Sequence, residues 1–147
     1  MEVNIRPFAR VFLKNMAKIY EVGVFTAAHA CYANEVIKSL DPKGKYIKLK
    51  LTRKNCIEVE PNIFVKDLRV IRNRRLEDIL IVDNFAHSYA LQLDNGVPCI
   101  PFYDDEEDEE LVNLDNYLRQ LEKSKDMILV NSKHFKNFML LDANDAS

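Results

Sequence analysis

Two apolar runs, Val22-Gly23-Val24-Phe25 and Ile79-Leu80-Ile81-Val82, each stop on polar residues, Thr26 after the first and Asp83-Asn84 after the second. A short run that is apolar at every position, rather than at alternate ones, reads as a strand buried on both faces, the condition met in parallel α/β sheets. In such sheets ligands occupy the crevice beyond the carboxyl ends of the strands. Thr26, Asp83 and Asn84 are expected to open into that crevice, and a third run, Phe64-Val65, delivers Lys66 to a similar setting. The expected set is a hydroxyl, an ammonium, a carboxylate and an amide.

Size and charge narrow the partners. A chain of 147 residues, 48% hydrophobic and 30% charged, suits one ordinary domain. Its formal charge of -2 provides no global basic field, so direct nucleic-acid binding is not expected and any anion recognition is local. No apolar stretch approaches the roughly 18 residues that mark a membrane span, and no signal-peptide pattern opens the chain. The expectation is a soluble intracellular protein, nuclear or cytoplasmic, with its oligomeric state open. Cys31, Cys56 and Cys99 are odd in number and widely spaced, and no Asn-x-Ser/Thr acceptor occurs, which speaks against a disulfide framework. His29, His87 and His134 lack zinc-ligand spacing.

Around the apolar runs the pattern alternates. Arg6-Pro7 opens a helix to about Tyr20, with Phe8, Val11, Phe12, Met16 and Ile19 on its apolar face. A second helix from His29 to Leu40 carries Tyr32, Val36, Ile37 and Leu40 and stops before Asp41-Pro42-Lys43-Gly44. Tyr46 to Leu51, Ile57 to Val59 and Asn62 to Lys66 read as strands or a small β excursion. Val97 to Phe102 reads as an edge strand where prolines are tolerated. The acidic run Asp104 to Glu110 enters a helix bearing Leu111, Leu114, Leu118 and Leu121, where negative charge suits the dipole and a solvated start is favoured over a magnesium site. Met127 to Val130 and Phe138 to Leu141 predict an extra strand or helix, and Asn144 to Ser147 are expected to fray.

A phosphoryl group in transfer spreads negative charge over its oxygens, so its site needs fixed donors, a cation and usually magnesium on hard oxygen ligands. Thr26, Lys66, Asp83 and Asn84 supply those groups. Singly, each has a plainer reading: Thr26 as a helix cap, Lys66 as a surface charge, Asp83 as a turn residue. Their ordered recurrence at strand ends favours the shared site.

The strings Arg6-Pro7, Phe12-Leu13, Phe25-Thr26-Ala27, Tyr32-Ala33, Arg53-x-x-Cys56, Val65-Lys66-Asp67-Leu68, Asp83-Asn84-x-x-x-Ser88-Tyr89 and Asp94-Asn95-x-Val97-Pro98, in this order, resemble the Fcp/Scp-type phosphatase domain. That family has the haloacid-dehalogenase fold and acts on the C-terminal domain of RNA polymerase II and other phosphoproteins. The resemblance covers residues 3–122 and leaves 123–147 as a C-terminal extension. It implies an HAD-like (Rossmannoid) α/β parallel sheet flanked by helices with a small β excursion. It implies that Thr26 contacts the phosphoryl group, Lys66 neutralises it, Arg53 meets substrate phosphate with its guanidinium fork, and Asp83 and Asn84 hold Mg2+, with Asn84 the direct ligand. The implied partner is a phosphoprotein or phosphopeptide.

Two departures matter. Phe85-Ala86-His87 stands where a Ser-Pro pair is common, which bears on loop shape. The family's nucleophile motif, Asp-x-Asp-x-Thr/Val on the first central strand, is absent from these residues; Leu140-Leu141-Asp142-Ala143-Asn144-Asp145 has the wrong spacing. The expectation is a phosphatase domain inactive as this chain, its central first strand missing between the Thr26 and Asp83 strands. Those strands should then lie about 9 to 10 Å apart, the chain should be of marginal stability, and magnesium binding should be weakened. The alternative is a pseudophosphatase, or a module like the import-receptor branch that holds a phosphopeptide or partner. A third reading, an unrelated α/β protein, has only coincidence of strand ends behind it.

Overall fold

In the computed structural model, which describes residues 3–135, the apolar runs become strands as expected and sort into three separate pairs. β1 (Val22–Phe25) lies parallel to β2 (Ile47–Leu51). β3 (Ile57–Glu60) and β4 (Ile63–Val65) form an antiparallel hairpin, and β5 (Ile81–Asp83) lies parallel to β6 (Gly96–Pro98). The β excursion is therefore the hairpin alone; β2 belongs to the parallel layer, joined to β1 through α2 (Ala30–Leu40). Pro61-Asn62 turns the hairpin, with Asn62 at φ 65°, a conformation Asn tolerates and Pro can precede. Gly44, at φ 62°, closes the turn after α2, where its N–H donates to the Asp41 carbonyl at 3.0 Å.

The helices differ from expectation in their ends and faces. α1 spans Ala9–Ile19, and Pro7 lies outside it, because Arg6 to Ala9 form a turn closed by Ala9 N–H on the Arg6 carbonyl, with Phe8 left-handed at φ 68°. Leu13 and Met16 are its buried residues, whereas Phe8 and Val11 are half exposed. On α2, Ala33 is buried and Tyr32 faces out. β5 begins two residues late, because Leu76–Asp78 form a 3-10 turn that ends on Ile79. Of the two residues nearest the start of α3 (Glu110–Glu122), Asp108 serves another purpose than the helix dipole. It takes a two-pronged bond from Arg6 at 2.7 and 2.9 Å, and the guanidinium holds its carboxyl below the usual range. The Met127 segment is helical, over 127–135 (α4), while Phe138 to Leu141 lie outside the described residues.

Two clusters hold β5 and β6 between them. Met16, Val97, Leu114, Leu118 and Leu121 join α1 and α3 to β6; Leu68, Ile79, Ile81 and Tyr89 pack around β5. Asn131 of α4, fully buried, clamps the start of β6 by donating to the carbonyls of Asp94 and Gly96, both at 2.9 Å, and accepting from the Tyr117 hydroxyl at 2.7 Å.

β1 and β5 are not paired with each other. A cleft of about 700 Å³ runs along both, lined by Val22 to Phe25 on one side and Ile79 to Val82 on the other, with Met16, Tyr20, Leu118 and Leu68 among its apolar walls. Each of the two strands carries one edge with no ladder partner among the described residues, as does every strand of the three pairs.

Candidate active site

Lys66 leaves the end of β4 with its N–H donating to the Ser88 carbonyl at 2.7 Å. Its ammonium is ion-paired with Asp83 Oδ2, and Asp83 Oδ1 accepts the Phe85 N–H at 2.9 Å. Both residues are below a tenth exposed. An ammonium that deep is stable only with a charged partner, so Lys66 is not the surface charge its plain reading supposed. The Phe85-Ala86-His87 loop closes on itself, with Ser88 N–H on the Phe85 carbonyl at 3.0 Å and the Phe85 and His87 rings stacked. Asn84 is exposed beside Asp83.

On the other side of the cleft, Thr26 extends the β1–β2 ladder by one bond, its N–H donating to the Leu51 carbonyl at 3.0 Å. Its hydroxyl oxygen accepts the Ala28 N–H at 3.1 Å, turning the chain toward α2, and its own O–H hydrogen has no acceptor among the described residues. The plain reading of Thr26 as a local cap is thus met, while its donor stays free. Arg53 starts a 3-10 turn fixed by a reciprocal Thr52–Asn55 capping box. Its Nε donates to the Ala27 carbonyl at 2.7 Å, Nη1 meets His29 Nε2 at 2.8 Å, and the guanidinium lies 4.8 Å over the Phe64 ring.

Cys56 links the two sides. Its Sγ is 3.7 Å from the carbonyl oxygens of Thr26 and Thr52, and Lys66, Arg53 and Asp83 all act on it. Burial is the largest influence and pushes the thiol up, against the two cations.

The far end of the cleft is closed by an exposed ion pair, Arg74 to Glu21 at 2.6 Å, between the residue before β1 and the loop before β5. Glu21 and Arg74 both line the cleft, while Thr26, Lys66 and Asp83 stand at or just past the ends of β1, β4 and β5.

Three residues escaped the sequence reading. Asp67 accepts from Arg69 N–H and Gln92 Nε2, at 3.0 and 2.8 Å, while Gln92 Oε1 accepts the Leu68 N–H at 3.0 Å, locking the turn behind Lys66. Asp67 as an Asx-type turn residue was readable; Gln92 and His29 carry no sequence signal, because their partners are 24 or more residues away.

Magnesium does not fit the side chains present by themselves. Among the described residues no three His, Cys, Asp or Glu side chains cluster to hold a metal ion, and both Asp83 oxygens already have partners. One such carboxylate and one amide fall short of an octahedral oxygen set.

The comparisons with known proteins give the family. Residues 1–128 match the NLI interacting factor-like phosphatase family. The chain belongs to that family. It is 38% identical over 136 residues to CTD small phosphatase-like protein 2 of Dictyostelium discoideum, covering 92% of this chain and 24% of the relative. It is 40% identical over 119 residues to CTD small phosphatase-like protein 3 of Caenorhabditis elegans, covering 81% of this chain and 41% of that protein. In fold it is similar to a fission yeast RNA polymerase II CTD phosphatase Fcp1 variant bound to beryllium fluoride, with TM-score 0.58, 20% identity and coverage of 95% and 40% of the two chains. The chain thus spans less than half the length of each of these relatives, and its α/β fold is that of an Fcp1-type, HAD-like phosphatase domain.

Proposed function

We propose that these residues form the phosphate-holding part of a protein serine/threonine phosphatase domain, acting on phosphoproteins such as the C-terminal domain of RNA polymerase II and hence in the nucleus. The observation that carries this reading is that Cys56 joins the groups beyond the ends of β1, β4 and β5: its Sγ lies 3.7 Å from the Thr26 carbonyl oxygen, and Arg53, Lys66 and Asp83 all act on it, the last two as an ion pair. In this reading Thr26 donates its hydroxyl hydrogen to a phosphoryl oxygen, Lys66 offsets the negative charge, and Arg53 meets a substrate phosphate. Asp83 holds Lys66 in place between turnovers. Residues 3–122 are the phosphatase homology region and the remainder an extension.

The attacking carboxylate belongs, on this reading, to a strand lying in the cleft between β1 and β5. An Asp there would attack phosphorus to give a phospho-aspartate, and a second acid would protonate the leaving serine oxygen and then take a proton from water. The same strand would add the oxygen ligands that Asp83 and Asn84 lack for Mg2+.

Assay of the 147-residue chain with a phosphoserine peptide and magnesium should give no turnover, since general acid catalysis alone is worth about 10² to 10⁴ in rate and the nucleophile is a separate loss. The chain extended at its front by an apolar strand ending in Asp-x-Asp-x-Thr should turn over. Turnover by the bare chain that disappears with Asp142→Ala would overturn the reading by placing the nucleophile in the final residues. Activity in neither form would favour a phosphopeptide-binding module.

A further inference from the structure

The bond between Arg53 and His29 determines the state of both. A guanidinium carries five N–H donors, no acceptor and a permanent charge. In the 2.8 Å contact between Arg53 Nη1 and His29 Nε2, the ring nitrogen must therefore accept, the role Nε2 plays in the tautomer with its proton on Nδ1. A second observation concerns where His29 stands. It is the N-cap of α2, a position that favours Ser, Thr, Asp or Asn because their side-chain oxygens accept the first free N–H groups of the helix. His29 makes no such cap bond, and its ring is turned to Arg53 instead.

Three groups therefore fix the guanidinium: the Ala27 carbonyl on Nε, the His29 ring on Nη1 and the Phe64 face against its plane. Two of its five donors are used, which leaves three for an oxyanion. Arg53 N–H also donates to the Ala28 carbonyl at 3.0 Å, so the turn bearing Arg53 and the loop bearing His29 are tied in main chain and side chain alike.

We infer that His29 is a positioning residue: as a neutral acceptor it orients Arg53 so that the guanidinium's free edge is presented to substrate phosphate. This rests on the assignment of Arg53 to substrate phosphate made above. A long flexible cation loses rotamer freedom when it engages an anion, and a side chain already held loses less. His29 is thus expected to act on phosphate affinity only through Arg53.

The test uses the whole 147-residue chain, inorganic phosphate as probe, and NMR titration with the His29 ring nitrogens observed directly. His29→Leu, which removes the acceptor, should weaken phosphate binding about five-fold, the scale of one hydrogen bond. His29→Gln, which retains an acceptor oxygen, should stay within about two-fold of wild type. In an Arg53→Ala background, His29→Leu should have no further effect. The wild-type ring should carry its proton on Nδ1, and Arg53→Ala should relax that preference. Unchanged affinity in His29→Leu, an equal loss in the Arg53→Ala background, or a ring protonated on Nε2 would each overturn the inference. Absence of any phosphate response near Arg53 in wild type would overturn the phosphatase reading, and an Arg53-dependent Nδ1–H tautomer in the same sample would still support the orientation of Arg53 by His29.

Discussion

The two parallel strand pairs are built to the same plan and buried to different depths. Of β5 and β6, Ile81, Asp83, Gly96 and Val97 are buried, with α1 and α3 packed through Val97 and Tyr89 closing over Gly96. β1 has no fully buried residue although it reads Val-Gly-Val-Phe, and β2 buries only Leu51. Apolar composition is therefore not what separates them. The difference is neighbours: β5–β6 has a hydrophobic cluster associated with each strand, while β1 borders the cleft along its length and reaches the main cluster through Val22. β1 is thus part-buried on its faces and also has one edge with no ladder partner among the described residues. Substitutions that strike one pair and not the other separate the two.

The largest effect is expected at the link between the hairpin and β5. Lys66→Met removes the ammonium and leaves the Asp83 carboxylate buried with a single main-chain donor, Phe85 N–H. Removing one partner of a buried pair costs about 3–5 kcal/mol. Urea unfolding should show the loss, and Lys66→Met combined with Asp83→Leu should recover a large part of it. If Lys66→Met proves as stable as wild type, the β5 side is as loosely held as β1, and the contrast fails.

Gly96→Ala is expected to rank next. A Cβ at Gly96 would fall 2.1 Å from the Tyr89 ring, whose side chain is itself almost wholly buried and has no room to withdraw. Overpacking of this kind costs about 1–3 kcal/mol or more. The thermal midpoint should fall by several degrees, and Tyr89→Leu in the same chain should restore part of the loss.

This contrast also marks what was legible beforehand. The strand ends that carry Thr26, Lys66 and Asp83 could be read because a run of apolar residues followed by a polar one is a local pattern, and the helical periodicity of Leu111, Leu114, Leu118 and Leu121 is another. The start of α1 could not, because Phe8 adopts a left-handed conformation that is sterically disfavoured for a bulky residue and leaves no mark in the sequence. The acidic run does enter α3, but that Asp108 within it pairs with Arg6 could not be read, because Arg6 lies 102 residues away. Pairing at a distance leaves no periodic trace, and the same holds for the His29 contact with Arg53 and the Gln92 contacts with Asp67 and Leu68.

A smaller, pH-dependent effect tests whether both halves are equally tied by carboxylates. Asp41, at the entry to β2, accepts N–H bonds from Lys45, Tyr46 and Ile47 at 2.9 to 3.0 Å, and these bonds, Ile47's foremost, hold its carboxyl below the usual range despite partial burial. Asp67, behind Lys66, is held well below that range, chiefly by the Arg69 guanidinium and then by the Arg69 N–H and Gln92. A carboxyl whose folded value is lowered contributes stability in full above its unfolded value, about 3.9, and loses it as pH falls toward the folded value, because the unfolded chain then binds more protons. Urea midpoints should therefore fall between pH 6 and pH 3, and Asp41→Asn and Asp67→Asn should each fall less over that interval. Hydrogen exchange at 45–47 should report the Asp41 contribution. A fall in Asp41→Asn as steep as in wild type would mean that the β2 entry is not held by its carboxylate.

The smallest effect is expected at the glycine in β1. A Cβ added to Gly23 would stand 3.2 Å from Leu49 Cβ and 3.4 Å from its carbonyl oxygen, tighter than ordinary contact by a few tenths of an ångström. At Gly96 a far closer approach meets a buried ring; here a slight one meets a β2 residue with 39% of its surface exposed, on a strand with one buried position. Leu49 can therefore move outward without opening a cavity. The added methyl also reduces the freedom of the unfolded chain, which stabilises by about 0.4–1 kcal/mol where the conformation is compatible, and that gain opposes the crowding. Gly23→Ala should thus leave the urea midpoint of the chain almost unchanged, within about 0.5 kcal/mol. The same substitution in the chain extended by a strand that fills the cleft should cost more, because Leu49 and β1 would then be held in place from the open side. A cost that is already large in the bare chain would mean that β1 is as firmly seated as β6 and that the cleft is not waiting on a neighbour.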